Sequence, residues 1–178
     1  MQKLIILDRD GVINYDSDEY VKSLDEWIPL PNSIQALAKL TKAGYKIAVA
    51  TNQSGIARGY FSEETLTAMH KKMSDLATEA GAKFDYIAHC PHGPDDNCDC
   101  RKPLPGLVDQ IESALGMSAA GSYIVGDSLR DLQAGQAKDM KAALVLTGKG
   151  QRTLDKGVGL DGVPVFKDLN EFVDDLLS

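Results

Sequence analysis

Short apolar segments alternate with segments of helical periodicity along this chain of 178 residues. Compact runs of mostly aliphatic residues predict buried strands at residues 3–7, 46–50, 86–90, 122–127 and 142–146. Between these runs, apolar side chains recur every three or four positions, which predicts helices at residues 33–44, 62–81, 106–116, 129–138 and 168–178. Regular alternation of strand and helix predicts an α/β fold, a Rossmann-like doubly wound parallel sheet with helices on both faces.

The connections between the predicted elements are short. The longest irregular stretches are residues 8–31, 90–105 and 147–164, and the chain contains no internal repeat, low-complexity tract or long linker. We therefore expect residues 1–178 to form a single domain without a separate cap domain. Function is expected on the loops, because loops on a rigid scaffold carry most binding and catalytic residues.

The charge and the lengths of the apolar runs argue against nucleic-acid and membrane partners. The net charge of −7 argues against a nucleic-acid-binding protein, because such a protein needs a basic face. The first apolar run, residues 4–7, is too short for a signal peptide, and no run approaches the roughly 20 residues of a membrane span. We expect a cytoplasmic monomer with no membrane partner, in which any bound anion needs a local positive site.

Polar residues follow four successive predicted strands. In an open α/β sheet, ligands bind outside the carboxyl ends of the strands, so these residues are expected to converge on one rim. In chain order they are Asp8 and Asp10, Thr51 and Asn52, Arg101 and Lys102, and Asp127 with Asp131.

This set of groups is suited to phosphoryl transfer. Asp8 and Asp10 are two residues apart on an extended segment, so both side chains can lie on one side. Packed together with Asp127 they would repel one another unless a cation lay among them, and oxygen ligands near phosphate suit Mg²⁺. Asp10 is placed to act as general acid and base, while Lys102 and Thr51 would stabilise the transferring group.

Each of these motifs taken alone has a simpler interpretation. "DRDG" is also typical of a turn, and "GDS" is a common junction between strand and helix. Thr51 and Asn52 could cap a helix, and Asp131 could pair with a neighbour or cap a helix instead of binding metal. The ordered occurrence of all four motifs at successive strand ends favours a shared site.

The loop "CPHGPDDNCDCRKP" contains all three cysteines of the chain. Cys90, His92, Cys98 and Cys100 supply the ligands of a closed Cys₃His structural zinc site, within a zinc-binding loop of residues 90–100. Zinc would fix the position of Arg101, whose planar fork suits a second phosphate, and of the lysine that follows it. The alternatives are free or buried thiols, or a disulfide between the last two cysteines.

Four stretches, "LDRDGVIN", "ATNQSG", "CRKP" and "VGDSLRD", resemble the motifs of the haloacid dehalogenase superfamily of Mg²⁺-dependent phosphatases. The resemblance extends from residue 7 to about residue 146. It implies that Asp8 is the nucleophile of an aspartyl-phosphate intermediate and that Asp10 is the acid and base. It further implies Thr51 and Lys102 as phosphoryl-stabilising residues, with Mg²⁺ held by Asp8, Asp127 and the backbone carbonyl of Asp10.

Within that superfamily, "DRDGVINYD", "TNQSGIARGYF" and "CPH…CDCRKP" are similar to the capless D-glycero-D-manno-heptose-1,7-bisphosphate 7-phosphatases. The similarity implies removal of the 7-phosphate from this phosphorylated sugar, in the synthesis of nucleotide-activated heptose for lipopolysaccharide or S-layer glycans. The substrate contacts that it implies are Asp16, Asp18, Glu19, Tyr20, Gln53, Ser54 and Arg101. We add Asn52, and Arg58 as a contact of the distal phosphate.

Other functions remain open at this point. The short zinc loop also resembles that of histidinol-phosphate phosphatases, and Ser128 stands where several heptose relatives have a lysine. A zinc-stapled binding module would not depend on Asp8. A phosphotransferase or mutase would need a cap to exclude water, for which the chain has no room.

Overall fold

The computed structural model describes residues 3–178, and within them six parallel strands form one sheet. The strand order is β3-β2-β1-β4-β5-β6, which confirms the predicted α/β fold. The strands are β1 (Leu4–Leu7), β2 (Lys46–Asn52), β3 (Tyr86–Cys90), β4 (Tyr123–Gly126), β5 (Lys141–Val145) and β6 (Val165–Phe166).

Six helices connect or follow these strands within residues 3–178. The Ser62 hydroxyl accepts a hydrogen bond from the Thr65 amide and caps the second helix, as its sequence predicts. None of these helices has the length and hydropathy that a membrane crossing needs. The helices are α1 (Ser33–Lys42), α2 (Glu63–Glu79), α3 (Gly106–Leu115), α4 (Leu129–Gln136), α5 (Gly150–Lys156) and α6 (Leu169–Leu177).

Two elements were not predicted from the sequence. Helix α5 lies inside the stretch 147–164 that was expected to be irregular, and its seven residues are too few and too polar to show an apolar period. Strand β6 has only two residues, which pair with Leu144 and Val145 at the edge of the sheet. Strand β2 also continues two residues further than predicted, because Thr51 and Asn52 still pair with β3.

Both faces of the sheet are covered, which explains why the strands read as continuous apolar runs. In β1, Ile5 and Leu7 point into one core beneath α1, α2 and α6, while Leu4 and Ile6 point into the other. All four side chains are at most 1% exposed. The sheet is therefore a rigid central layer whose loops are held at defined positions.

The chain reverses direction across the sheet between β1 and β4. After β1 it proceeds outward through β2 and β3, then crosses back to place β4 on the other side of β1. Loops leaving these two adjacent strands diverge, and a crevice opens where they separate. The amide of Asp8 donates to the carbonyl of Val125 at 3.0 Å, so the residues that follow β1 and β4 begin side by side.

Candidate active site

A cleft of about 330 Å³ lies at the carboxyl ends of the strands. It brings together most of the residues predicted to form the site. These are Asp8, Asp10, Asp16, Asp18, Tyr20, Asn52, Gln53, Ser54, Arg58, Arg101, Lys102 and Asp127. Asp131, which the sequence also placed on this rim, lines the cleft as well. Five further lining residues were not predicted from the sequence: Ser17, Val21, Ser128, Arg130 and Lys149.

Two predicted site residues do not reach the cleft wall. Thr51 is 1% exposed and lies beneath the cleft, where its hydroxyl accepts a hydrogen bond of 2.9 Å from Gln53 Nε2. Glu19, predicted as a substrate contact, does not line the cleft. Residues 17–20 form a tight turn, in which the Tyr20 amide donates to the Ser17 carbonyl at 3.1 Å, and Glu19 is exposed outside the cleft.

Lys102 is the central cation of the cleft floor. Its Nζ donates to Asp8 Oδ1 at 2.9 Å, to Asp131 Oδ1 at 2.6 Å and to the carbonyl of Ala50 at 2.8 Å. Burial alone would lower the pKa of Lys102, but the two carboxylates outweigh burial and raise it. Lys102 is therefore positively charged. Asp131, whose role the sequence left open, is its ion-pair partner.

The carboxyl group of Asp8 is difficult to ionise in this environment. Burial, followed by the charge of Asp131, raises the pKa of Asp8 to about 7, although Lys102 acts in the opposite direction. Burial and the charges of Asp8 and Asp131 also raise the pKa of Asp127 well above its usual value. Carboxylates that repel one another in this way are stabilised by a divalent cation between them, so this group fits Mg²⁺.

Three carboxylates each place an oxygen within 4.8 Å of the other two: Asp8, Asp127 and Asp131. Asp131 is already engaged, since Oδ1 bonds Lys102 and Oδ2 accepts from Ser128 N, Ser128 Oγ and Asp127 N at 3.1, 3.0 and 3.2 Å. Within residues 3–178, the Asp127 carboxylate accepts one hydrogen bond, 2.9 Å from Lys149 N to Oδ2. Asp8 and Asp127 are therefore the carboxylates with oxygens to offer a metal.

Two glycines pack directly against the Asp127 carboxylate. Gly11 has φ +86° and Gly148 has φ +56°, conformations that favour glycine. A Cβ atom on either residue would overlap Asp127 Oδ2. The position of this carboxylate thus depends on the absence of side chains in both the "DRDG" turn and the loop after β5.

Asp10 is surrounded by hydrogen-bond donors. Its Oδ1 accepts from Arg9 Nε at 2.9 Å and from Asn14 Nδ2 at 2.8 Å, and its Oδ2 accepts from Gln53 Nε2 at 3.0 Å. Burial acts to raise its pKa, but the charge of Arg9 and these hydrogen bonds outweigh burial and lower it. Asp10 therefore rests as a carboxylate. Its network also reaches Thr51 through Gln53.

Arg9 and His70 form a second layer behind Asp10 that the sequence did not reveal. Arg9 is fully buried, and its Nη1 lies 3.3 Å from Nε2 of His70. Burial, followed by the charge of Arg9, lowers the pKa of His70 to about 3, so the imidazole is neutral and accepts from the guanidinium. His89 pairs with Glu63 at 2.9 Å.

The three cysteines come together as predicted, without the histidine. Sγ atoms of Cys90, Cys98 and Cys100 lie within 4.8 Å of one another, all three thiols are free, and the His92 imidazole is outside this group. The distance from Cys90 to Cys98 is 3.7 Å, close to the edge of a tetrahedron with Zn–S bonds of about 2.3 Å. Cys100 lies 2.7 Å from Cys90, so zinc binding requires these two thiols to separate by roughly 1 Å.

Basic residues form the rim of the cleft, in contrast to its acidic floor. Arg101 Nη1 donates to the carbonyl of His92 at 3.2 Å, and the Arg58 guanidinium lies 5.8 Å from the centre of the Tyr20 ring. Lys149, which precedes the unpredicted helix α5, lies 3.7 Å from Asp16. A floor that fits a divalent cation, next to a charged lysine and below a basic rim, is suited to binding and cleaving a phosphate ester.

Comparison with known proteins agrees with this chemistry. Residues 99–172 match the family model described as HAD-hyrolase-like. A D-glycero-beta-D-manno-heptose-1,7-bisphosphate 7-phosphatase of Pseudomonas aeruginosa is 53% identical over 177 residues, which are 99% of this chain and 99% of that protein. The protein of the same name from Neisseria meningitidis serogroup A is 57% identical over 154 residues, 86% of this chain and 82% of that protein.

A solved structure shares the whole fold. It is the D,D-heptose 1.7-bisphosphate phosphatase of Bordetella bronchiseptica, complexed with magnesium and phosphate. It superposes with a TM-score of 0.95 at 52% identity, covering 99% of this chain and 98% of that one. The chain therefore belongs to the D-glycero-β-D-manno-heptose-1,7-bisphosphate 7-phosphatase family of haloacid dehalogenase-like hydrolases.

Proposed function

We propose that the protein is a Mg²⁺-dependent phosphatase that removes the 7-phosphate of D-glycero-β-D-manno-heptose 1,7-bisphosphate. The product, a heptose 1-phosphate, would serve the synthesis of nucleotide-activated heptose for lipopolysaccharide. The observation that carries the proposal is 53% identity, over 99% of both chains, to a relative that bears this name. The acidic floor and basic rim of the cleft support it independently.

Asp8 is the proposed nucleophile. Its carboxylate attacks the phosphorus, the bond to the sugar oxygen breaks, and an aspartyl-phosphate forms that water then hydrolyses. Lys102, 2.9 Å from Asp8, offsets the negative charge of the transferring group. In its ionised form, therefore, Asp8 lies next to a fixed cation.

Asp10 is the proposed general acid and base. It protonates the departing sugar oxygen and later takes a proton from the attacking water. Its lowered pKa suits the second role, since a carboxylate is needed there. For the first role, a phosphate bound at Asp8 adds negative charge close to Asp10, which raises the pKa and favours the protonated form. Arg9, Asn14 and Gln53 orient the group throughout.

Mg²⁺ is assigned to Asp8, Asp127 and the backbone carbonyl of Asp10. Two observations support the fit: the raised pKa values of the two carboxylates and the close glycine packing that positions Asp127. When bound, the cation offsets the charge of the phosphoryl oxygens. Thr51 is assigned to stabilising the phosphoryl group. It lies beneath the cleft and is connected to the cleft wall by its hydrogen bond with Gln53.

Substrate contacts are assigned to the cleft walls. Asp16, Asp18, Tyr20, Gln53 and Ser54 offer polar groups to the heptose hydroxyls, and the arginines at 58 and 101 face its 1-phosphate. Asn52 has a further task. Its amide exchanges hydrogen bonds with the main chain of Lys102, at 3.0 Å to the nitrogen and 3.3 Å to the carbonyl, and thereby positions the loop.

A structural zinc ion is proposed for the loop 90–100, with three thiolates and His92 as ligands. The gathering of the three thiols supports this assignment. The loop already gathers the three thiols, and a zinc site would require Cys100 to move away from Cys90 and the His92 imidazole to approach the group. Zinc would stabilise the loop that carries Arg101 and Lys102, since the loop buries little apolar surface of its own.

We further infer one catalytic domain over residues 1–178, acting as a monomer in the cytoplasm. In support, the long loops after β1 and after β3 contain only turns and isolated bridges within the described residues, which leaves no folded cap. Free thiols are typical of a reducing compartment.

The runner-up function is hydrolysis of histidinol phosphate, on the strength of the short zinc loop. Phosphate release with Mg²⁺ from heptose 1,7-bisphosphate and from histidinol phosphate, measured side by side, separates the two. We expect kcat/KM to favour the heptose by at least about 100-fold, because the basic rim has no second anion to bind in histidinol phosphate. Equal values, or a preference for histidinol phosphate, would overturn the proposal.

A further inference from the structure

Three guanidinium groups meet at the mouth of the cleft. Arg58 follows β2, Arg101 follows β3, and Arg130 lies in the first turn of α4, so three separate elements contribute them. Arg101 and Arg130 also line a second cavity of about 460 Å³ that adjoins the first. Arg130 was not expected here, because a single exposed arginine within "VGDSLRD" gives no sequence signal.

These arginines lack the ion-pair partners that other cations nearby possess. Within residues 3–178, none of the three lies within 4.0 Å of a carboxylate oxygen, although the chain carries a net charge of −7. By contrast, Lys149 pairs with Asp16 at 3.7 Å and Arg152 with Asp18 at 3.0 Å. Three uncompensated positive charges on one rim form a site for an anion.

The like charges are close enough to influence one another. All three guanidinium groups line one cleft, and Arg101 and Arg130 also line the cavity that adjoins it. A bound anion would relieve this repulsion, and the planar fork of arginine matches the oxygens of phosphate. The electrostatics therefore favour a phosphate at this rim over a neutral sugar hydroxyl.

A buried ion pair fixes Arg130 relative to the catalytic floor. Lys102 Nζ lies 2.6 Å from Asp131 Oδ1, and Arg101 and Arg130 are the residues immediately before the two partners. Asp131 also forms the capping box with Ser128 at the start of α4. The same contact that positions the lysine beside the nucleophile thus holds the two arginines next to each other.

We propose that Arg130 is a specificity-determining residue that binds the second, non-reacting phosphate of the substrate together with Arg58 and Arg101. This inference rests on the proposed function in that it takes a sugar bisphosphate as the substrate. While one phosphate lies at Asp8, the other is held at the rim, so Arg130 distinguishes a bisphosphate from a monophosphate without touching the reacting atoms.

The test compares kcat/KM for heptose 1,7-bisphosphate and heptose 7-phosphate in wild-type protein, Arg130→Ala, Arg130→Lys and Lys156→Ala. In Arg130→Ala, the loss of one charge-assisted contact should lower kcat/KM for the bisphosphate about 10-fold or more, mainly through a higher KM. The kcat/KM for the monophosphate should change by less than about 2-fold. Arg130→Lys should retain part of the preference. Lys156 is the matched control, because it is an exposed cation on α5 outside the cleft.

Equal losses for both substrates in Arg130→Ala, or the same loss in Lys156→Ala, would overturn the proposal and indicate a general electrostatic effect. A binding measurement separates this result from failure of the proposed function. Asp8→Asn protein should bind fructose 1,6-bisphosphate more tightly than fructose 6-phosphate in calorimetry, and the added Arg130→Ala change should remove most of that difference. Bisphosphate preference in binding without heptose turnover would refute the proposed function alone, and absence of any preference would refute the role of Arg130.

Discussion

The ammonium group of Lys102 lies 2.6 Å from Oδ1 of Asp131, and both side chains are almost entirely buried. Asp131 thus holds the cation that serves Asp8, although it contributes no free oxygen to a metal. Breaking a buried ion pair leaves a charge uncompensated, which makes this contact sensitive to substitution.

Asp131→Asn should therefore destabilise the protein strongly. We expect the free energy of unfolding to fall by about 3 kcal/mol in urea denaturation, because Lys102 loses its closer partner and α4 loses part of its cap. The control is Asp109→Asn, which breaks the surface pair with Lys138 at 2.7 Å and should cost less than about 1 kcal/mol. Similar losses in the two variants would contradict the central position of Asp131.

Gly148→Ala should weaken Mg²⁺ binding at least about 10-fold, because its Cβ would displace a carboxylate whose position the metal requires. The matched control is Gly116→Ala at the end of α3, where φ is +63° and a Cβ would meet no neighbour. Both variants should lose about 1 kcal/mol of stability from the backbone conformation. Gly148→Ala should lose more, because its Cβ would also lie 2.5 Å from Cα of Gly11. Titration calorimetry with Mg²⁺ alone should show the loss only in Gly148→Ala, and unchanged affinity there would argue against Asp127 as a ligand.

The metal-free protein should lose stability as pH rises from 6 to 8. The pKa of Asp8 is raised to about 7 and that of Asp127 well above its ordinary value, so the folded state holds protons that the unfolded state has released. That contribution is complete below the ordinary value of 3.8 and disappears as pH rises through 7. His70 acts in the opposite direction, since its lowered pKa costs stability as pH falls below 6.5.

Melting curves in EDTA and in Mg²⁺ test this linkage. In EDTA the melting temperature should fall between pH 6 and 8, and Mg²⁺ should stabilise the protein more at the higher pH, where its ligands are ionised. Asp127→Asn should show a shallower fall and little response to Mg²⁺. A melting temperature in EDTA that is flat or rises over this range would contradict the raised pKa values.

Zinc content should depend on the three cysteines and on His92, but not on His89 in β3. Purified Cys98→Ser should retain little zinc and unfold more readily, while His92→Asn should bind zinc more weakly through loss of the fourth ligand. His89→Gln is the control and should keep the wild-type metal content, because His89 pairs with Glu63. Equal zinc in wild-type and Cys98→Ser protein would refute the structural metal.

Much of the fold was predictable because buried strands appear in the sequence as short apolar runs. Strand β1 is covered on both faces, so its sequence is a continuous apolar run. Strand β3 ends at the distinctive cysteine motif, which marks its boundary. The order of motifs along the chain then predicted which residues meet, since a parallel sheet brings the carboxyl ends of its strands to one edge. Helix α5 was not predicted, because its seven largely polar residues show no helical periodicity of apolar positions.

The contacts that the sequence did not reveal join residues that are distant along the chain. Arg9 and His70 are 61 residues apart, and Lys102 and Asp131 are 29 apart. Arg130 is an exposed residue of a helix whose other face is buried, so only the packing of α4 reveals that its side chain lies at the cleft. Glu19 shows the converse, because the sequence gave no sign that the turn at residues 17–20 would direct its side chain outward.

The most direct test of the account is ³¹P NMR of heptose 1,7-bisphosphate with the Mg²⁺-loaded protein. The 7-phosphate signal should disappear as inorganic phosphate grows, the anomeric 1-phosphate should remain, and Asp8→Asn should give no turnover while retaining the wild-type fold. Release of the anomeric phosphate, or undiminished turnover by Asp8→Asn, would contradict the account.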